Sequence, residues 1–356
     1  MNVFHSITMA RASLPRLTLA QRVVDKMVRN ALIYDTETGE ALVGFAVKTA
    51  GRAEPDLYVI ETIAPDESAV RQTAYFEQGD DPQSQIFYWW FDNWNQYRER
   101  RRVSYGSAMG AKWDVPLVHL GDWHKHPSTL IEPSWGDTDT AHNHISDPDT
   151  ATPQLLAILA TVWDKQRSDA FDESSTDAEI GQPKPIKVPI DAHTVVRLDC
   201  WYMSRQIRRF ARLSPVVVPD KSLPGLPIIS WHLSQPERVR YEVEVMSAEG
   251  YAVSMEQSDV DKQPPLKYCV MLAKGKKVWI AVTEPNYPAT RPTLRSAPST
   301  AIKTVPEEAD FFQSMLTISQ PIPDNAYPDW TWTSDRTILD LIHAVEAKLP
   351  EGSAVL

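Results

Sequence analysis

Cysteine is nearly absent: only Cys200 and Cys269 occur in 356 residues. Two thiols exclude a four-thiolate zinc site and a disulfide framework. Both lie in apolar, strand-like runs, VVRLDCWYM and LKYCVML, and are expected as buried, reduced thiols. Long apolar runs are absent too. No stretch approaches the roughly 20 residues that span a bilayer, and the opening MNVFHSITMARASLPRL lacks the continuous apolar core of a signal peptide. A cytoplasmic protein with no membrane partner is expected. Positive charge is in deficit, with 36 Lys and Arg against 47 Asp and Glu and a formal net charge of -11. That balance argues against a nucleic-acid partner, which needs a broad basic face. The short run Arg98, Arg100, Arg101 and Arg102 reads as a solvated helix end. No internal repeat is visible.

Hydrophobic residues make up 42% of the chain, and its length exceeds one ordinary core, so two domains are expected. Apolar residues from Leu17 to Ala31 recur at helical spacing, which predicts an amphipathic helix over 16–33. The runs ALVGFAV, DLYVIETIA, QLLAILATVW and VVRLDCWYM predict strands. Between them, SQIFYWWFDNWNQYRERRR predicts a helix whose aromatic residues, Phe87 to Phe91 and Trp94, are mostly core. The polar segment 164–186 predicts a long, partly disordered loop. Four prolines in 214–230 mark a connector. Beyond it, VRYEVEVM, YAVSME, LKYCVML and KVWIAVT predict strands, and TILDLIHAVEAKL a closing helix. The order of elements suggests two α+β domains.

Chemistry concentrates in one segment. VPLVHLGDWHKHP predicts a strand running into His124-Lys125-His126-Pro127, and PSWGDTDTAHNHI predicts a helix start with Ser134 near its cap. Two histidines one residue apart on an extended chain point the same way. A carboxylate after a turn, Asp137, can close a third side. Two histidines and an aspartate leave a fourth position open, the pattern of a catalytic zinc site. His119, His142, His144 and Asp139 are nearby, but no ligand spacing links them to His124. Asp122 and Trp123 are expected to support the ligands from behind.

The string HxHP, six residues, Ser, two residues, Asp is the JAMM motif, with every defined position filled by His124, His126, Pro127, Ser134 and Asp137. LGDWHKHP also looks like the strand entering that motif in bacterial deubiquitinase-like JAB proteins. Upstream, Glu37-Thr38-Gly39-Glu40-Ala41-Leu42-Val43-Gly44 resembles the family's E-x-x-G-x-L-x-G stretch, with Glu40 in place of the usual glycine. The resemblance implies a JAB/MPN domain, a cytidine-deaminase-like fold, over about 15–213. It implies a zinc-dependent peptidase with Glu37 as general base and Glu40 as the rival for that role. Ser134 would donate a hydrogen bond to the oxygen of the tetrahedral intermediate, act as a helix cap, or do both.

The C-terminal part resembles the ubiquitin-conjugating (E2) fold and its RWD relatives. There a strand, here Lys277-Val278-Trp279-Ile280, meets a YP-x-x-x-P turn, here Tyr287-Pro288 and Pro292, and a late tryptophan precedes a helix, as in WTSDRTILDLI. An unrelated proline-rich loop is the plain alternative. Residues 289–331 hold neither a cysteine nor an HPN stretch, so an E2-like domain here could carry no thioester. The expected organisation is a JAB/MPN domain at 15–213, a connector at 214–230 and a smaller, non-catalytic E2/RWD-like domain at 231–356. The two resemblances together imply cleavage of a ubiquitin-like protein from a conjugate, or trimming of its C-terminal tail. They also imply E1-like and E2-like partners, as in some bacterial antiviral defence systems. The competing reading is a non-catalytic MPN/E2-like scaffold, a class that typically loses the metal ligands this chain keeps.

Overall fold

The structure, a computed structural model, describes residues 14–72, 75–77, 81–105, 111–127, 130–148, 152–164, 183–260, 264–306, 310–323 and 330–348. Most of the segment read as a long loop, 165–182, lies outside the described residues. The chain divides into two compact units, Met1–Leu226 and Pro227–Leu356, both mixed α and β.

The first unit runs β1 (Leu17–Ala20), α1 (Gln21–Ile33), β2 (Gly39–Val47), β3 (Asp56–Ile63), β4 (Val70–Gln72), β5 (Tyr75–Glu77) and α2 (Asp81–Tyr105). It continues with β6 (Val118–Lys125), α3 (Trp135–Ser146), β7 (Gln154–Asp164), β8 (Ile186–Pro189), β9 (Thr194–Ser204), β10 (Ala211–Leu213) and β11 (Pro215–Val218). Nine strands form one sheet in the order β10-β9-β7-β6-β2-β3-β1-β11, with β8 paired to β9. Its end strands β10 and β11 are separated in sequence by Ser214 alone, so the sheet curls almost into a barrel. β7 reads as a continuous apolar run because both its faces are covered, and nearly every residue in it is buried. Helix α1 buries Val23, Val24, Met27, Val28 and Ala31 against β3 and β7. Each of the larger side chains contributes about 1.5–3 kcal/mol by leaving water. In α2, Trp89, Trp90 and Trp94 are core and Tyr88 is 62% exposed.

Two sequence expectations are corrected in this unit. Residues 17–20 are a strand, not the first turn of α1: Leu17 and Leu19 are buried and pair in parallel with β3 and β11. Alternate apolar residues satisfy both periods over so short a stretch. The proline-rich stretch is also less of a connector than expected. Pro215–Val218 is a sheet strand, Leu223 is buried, and the Pro224 carbonyl accepts from Arg22 Nη2 at 3.2 Å.

The second unit runs α4 (Trp231–Ser234), α5 (Pro236–Ala248), β12 (Ala252–Ser258), β13 (Lys267–Lys274), β14 (Lys277–Thr283), β15 (Thr293–Pro298), α6 (Phe311–Ile318), β16 (Gln320–Pro321) and α7 (Ile338–Glu346). β12 to β16 form an antiparallel meander in chain order. Strand alternation gives it two apolar faces: Val270 and Leu272 join Trp231, Trp279, Ile338 and Ile342, while Cys269 and Met271 join Phe312 and Met315. Both cysteines are buried and free.

VRYEVEVM is helical, in α5, and not the expected strand. Pro236 opens the helix at a position where its missing N–H costs nothing. The buried face is Val239, Glu242 and Met246, and one member of it is charged, so hydropathy hides the helical period. Glu242 is fully buried because it is fully used. It accepts from Tyr287 Oη and from Ile338 N at 3.1 Å, and it pairs with Arg238 at 2.7 Å. The Tyr287-Pro288 bond is cis, and Trp332 Nε1 donates to the Pro288 carbonyl at 2.8 Å. Among the described residues, no helix is long and apolar enough to cross a membrane.

Candidate metal centre

The site is assembled where β6 leaves the sheet. Gly121 precedes the site at φ +133, and a Cβ there would lie 2.0 Å from the Leu156 carbonyl. Only glycine fits, and the β2–β6 register shifts between Leu42 and Val43, opposite this point. Beyond it, Asp122 and His124 face a cleft of about 430 Å³, while Trp123 turns to the opposite, buried side. His126 is the first residue past β6, tied by its N–H to the Ala160 carbonyl at 2.9 Å.

His126 Nδ1 donates to the Leu130 carbonyl at 3.0 Å, which turns the Nε2 lone pair inward. His124 Nε2 and His126 Nε2 stand 2.9 Å apart. Asp137 closes the group, with Oδ1 3.2 Å from His124 Nε2 and Oδ2 3.4 Å from His126 Nε2. Among the described residues these three alone bring His, Cys, Asp or Glu ligand atoms within 4.8 Å of one another, and they could hold a metal ion. Burial opposes the charge on Asp137, but hydrogen bonds from His124 and His126 hold its carboxyl far below the usual carboxylate range. Burial likewise opposes protonation of His126, and Asp137 outweighs it, raising the imidazole above its ordinary value.

Asp137 is oriented by the cap of α3. Ser134 is the N-cap: its Oγ accepts from Asp137 N at 3.1 Å, and its own N–H donates to Asp137 Oδ2 at 2.6 Å. This capping box holds the carboxylate in the first turn, where the helix dipole favours it. Both expected roles of Ser134 are compatible, because the cap uses the hydroxyl as an acceptor and leaves its O–H to donate. Ser134 also lines the cleft.

Glu37 and Glu40 are separated by strand geometry. Gly39 pairs with His124 and Glu40 with Trp123, so Glu40 sits on the Trp123 side of β2. There it is 2% exposed and accepts from Asn30 Nδ2 at 2.5 Å and Trp123 Nε1 at 3.3 Å, with Lys26 Nζ at 3.9 Å. It ties α1 to β6 on the side of β2 away from the cleft, whose lining includes Glu37 and not Glu40. Glu37, just before β2, lines the cleft with His124 and Asp137. Burial raises its carboxyl above the usual range, and the positive charge of His124 and His126 draws it back. Gly39 allows the close approach: a Cβ there would meet the Trp123 carbonyl at 2.2 Å.

Sequence reasoning missed the walls. The hairpin β4–β5 holds the Glu37 segment, through Glu37 N donating to the Gln72 carbonyl at 3.0 Å, and places Phe76 at the cleft. Leu155, Ala157 and Phe210 form the apolar side, and Thr140 adds a hydroxyl. The short, polar hairpin carries little hydrophobic pattern, so nothing in 70–77 signalled it. Of the other histidines near the motif, His119 lines a neighbouring cleft and pairs at 3.4 Å with Asp122, and His142 lines a further one. No family model matches the chain, and no curated protein matches it.

Proposed function

We propose that the chain is a zinc-dependent peptidase of the JAMM kind, acting on an amide or isopeptide bond at the C-terminal end of a ubiquitin-like protein. One observation carries the reading: two imidazole Nε2 atoms and a carboxylate converge in a cleft that a further carboxylate, Glu37, also lines. The donor set suits zinc, whose tetrahedral bonds of about 2.0–2.1 Å set ligand atoms roughly 3.3 Å apart. The contacts of 2.9, 3.2 and 3.4 Å bracket that spacing. When bound, zinc supplies Lewis acidity and lowers the pKa of water it coordinates to about 7.

The chain's own residues would do the rest. Glu37 takes a proton from the attacking water and delivers it to the leaving amine. Burial raises the Glu37 carboxyl above the usual carboxylate range, which makes it a better proton acceptor than an exposed glutamate. Ser134 donates its O–H to the oxygen of the scissile carbonyl as charge develops there. Phe76, Leu155 and Phe210 give the substrate chain an apolar wall and keep bulk water from the reacting atoms.

The substrate class rests on the sequence resemblance and on the second unit. That unit has a helix, an antiparallel meander and a Tyr-Pro turn clasped by Trp332, an order that suits an E2-like module. Cys269 is buried in β13 and can form no thioester, so the module would bind partners only, E1-like or E2-like proteins among them. The test is intact mass spectrometry of ubiquitin-like precursors and conjugates after incubation with the full-length protein. Release of the tail or target by the wild type and not by Glu37→Gln is expected. No mass change across the panel, or equal cleavage by the variant, would remove the proposal.

A further inference from the structure

The protein is strongly acidic, yet one cleft concentrates positive charge. It lies in the first unit where the curled sheet nearly closes, between β1, β3, β10 and β11, and encloses about 620 Å³. Four cations line it: Arg16 at the entry to β1, Arg52 in the β2–β3 turn, Lys112 in the helical turn Ala111–Trp113, and Arg212 in β10. No Asp or Glu among the described residues lines it, and it shares no lining residue with the metal cleft.

The charges are only partly neutralised. Arg52 pairs with Asp56 at 3.5 Å and donates to the Leu14 carbonyl, and Arg212 pairs with the buried Asp199. Among the described residues the buried Nε–H of each has no acceptor, so neither guanidinium is fully satisfied by these bonds. Neither the Arg16 guanidinium nor the Lys112 ammonium has a carboxylate partner among the described residues, although the Arg16 backbone N–H donates to Asp56 Oδ1 at 3.1 Å. Lys112 Nζ stands over the Tyr58 and Trp113 rings at 4.5 and 4.6 Å. Four cations around one concavity repel one another, and low-dielectric walls focus their field on whatever enters. In a chain of net charge -11 such a grouping is no general surface trend.

We infer that this cleft is an anion site that takes a phosphate-bearing small molecule. Guanidinium groups present paired N–H donors to phosphate oxygens, and lysine adds a point charge. The volume falls within the range of small-molecule sites, about 300–1,000 Å³. Leu17, Leu213, Val216, Val218 and Leu223 add an apolar wall, with the hydroxyls of Thr18 and Ser214 beside it. That mixture suits a ligand with a phosphate chain at one end and a flat or apolar group at the other, as in a nucleotide.

The test is isothermal titration of the full-length protein at low salt with ATP, with tripolyphosphate and with polyglutamate. ATP or tripolyphosphate should bind, and affinity should fall as salt rises. The exposed pair Arg16→Glu/Lys112→Glu should weaken binding at least 10-fold with only a slightly lowered melting temperature, because neither side chain forms an ion pair and only the exposed cation–π contact of Lys112 is lost. Tighter binding of ATP than of tripolyphosphate would assign the apolar wall to the ligand's ring. Equal affinity would assign the site to the phosphate chain alone. Asp137→Ala should bind as the wild type does, which separates this cleft from chelation of a metal. Binding of neither phosphate compound at millimolar concentration, binding of polyglutamate alone, or indifference to the double variant would overturn the inference.

Discussion

Replacing Glu37 and Glu40 one at a time separates chemistry from architecture. The Glu37 carboxylate makes no hydrogen bond to the described residues, and it is not one of the three converging ligands. Glu37→Gln should therefore leave the fold and the metal content intact. Removing a general base costs about 10²–10⁴-fold in turnover, or roughly 3–5 kcal/mol of barrier. Glu40→Ala should do the reverse. It strips the acceptor from Asn30 Nδ2–H and from the buried Trp123 Nε1–H, at about 1–3 kcal/mol for each orphaned donor. A loss of roughly 2–6 kcal/mol in a unit of this size lowers Tm by about 5–20 °C. Turnover per folded molecule should fall far less than in Glu37→Gln. The assay is kcat/KM on a peptide substrate, with zinc content and Tm measured on the same preparations. Glu37→Gln retaining turnover, or Glu40→Ala abolishing it at unchanged Tm, would reverse the assignment of the two residues.

Three other outcomes follow from the same geometry. Gly39→Ala drives a methyl group against the Trp123 carbonyl, so β2 and β6 should separate; urea unfolding should show a loss of about 1–3 kcal/mol, together with weakened metal retention. His232 is stacked on Tyr268 with ring centroids 3.7 Å apart, and burial lowers its pKa from 6.5 to about 4. The unfolded chain then binds this proton below about pH 6.5 and the folded chain does not, so stability should fall as pH drops from 6.5 towards 4, by up to about 1.4 kcal/mol per pH unit. His232→Gln should flatten that slope in denaturant titrations. A chain ending after Leu226 should keep the metal and cleave small peptides, while kcat/KM on a full conjugate drops, because remote contacts position the scissile bond; equal losses on both substrates would place the second unit within the catalytic apparatus.

The metal group was legible because its spacing is local. His124 and His126 share one strand end, and Asp137 follows at a helix start whose cap is written in Ser134. Glu37 stood ahead of Glu40 on the motif match alone, since both are glutamates three residues apart. Strand pairing separates them by putting Glu40 opposite Trp123. The cleft walls were not legible, because Phe76, Leu155 and Phe210 come from elements that meet only in the folded sheet. α5 was misread because VRYEVEV alternates with period two, while its helical face includes the buried Glu242. β11 was hidden by prolines, which an edge strand tolerates. The cationic cleft draws single residues from Arg16 to Arg212, a grouping no local pattern can show.

On the proposed function, His124, His126 and Asp137 hold one zinc ion. Elemental analysis of protein purified without added metal tests it most directly, run beside His126→Ala and Asp137→Ala. One zinc per chain is expected in the wild type, little in either variant, and progressive loss at acid pH, where histidine ligands are protonated. Wild-type protein with zinc near zero and no uptake on reconstitution, or variants that retain it in full, would rule these three residues out as a zinc site.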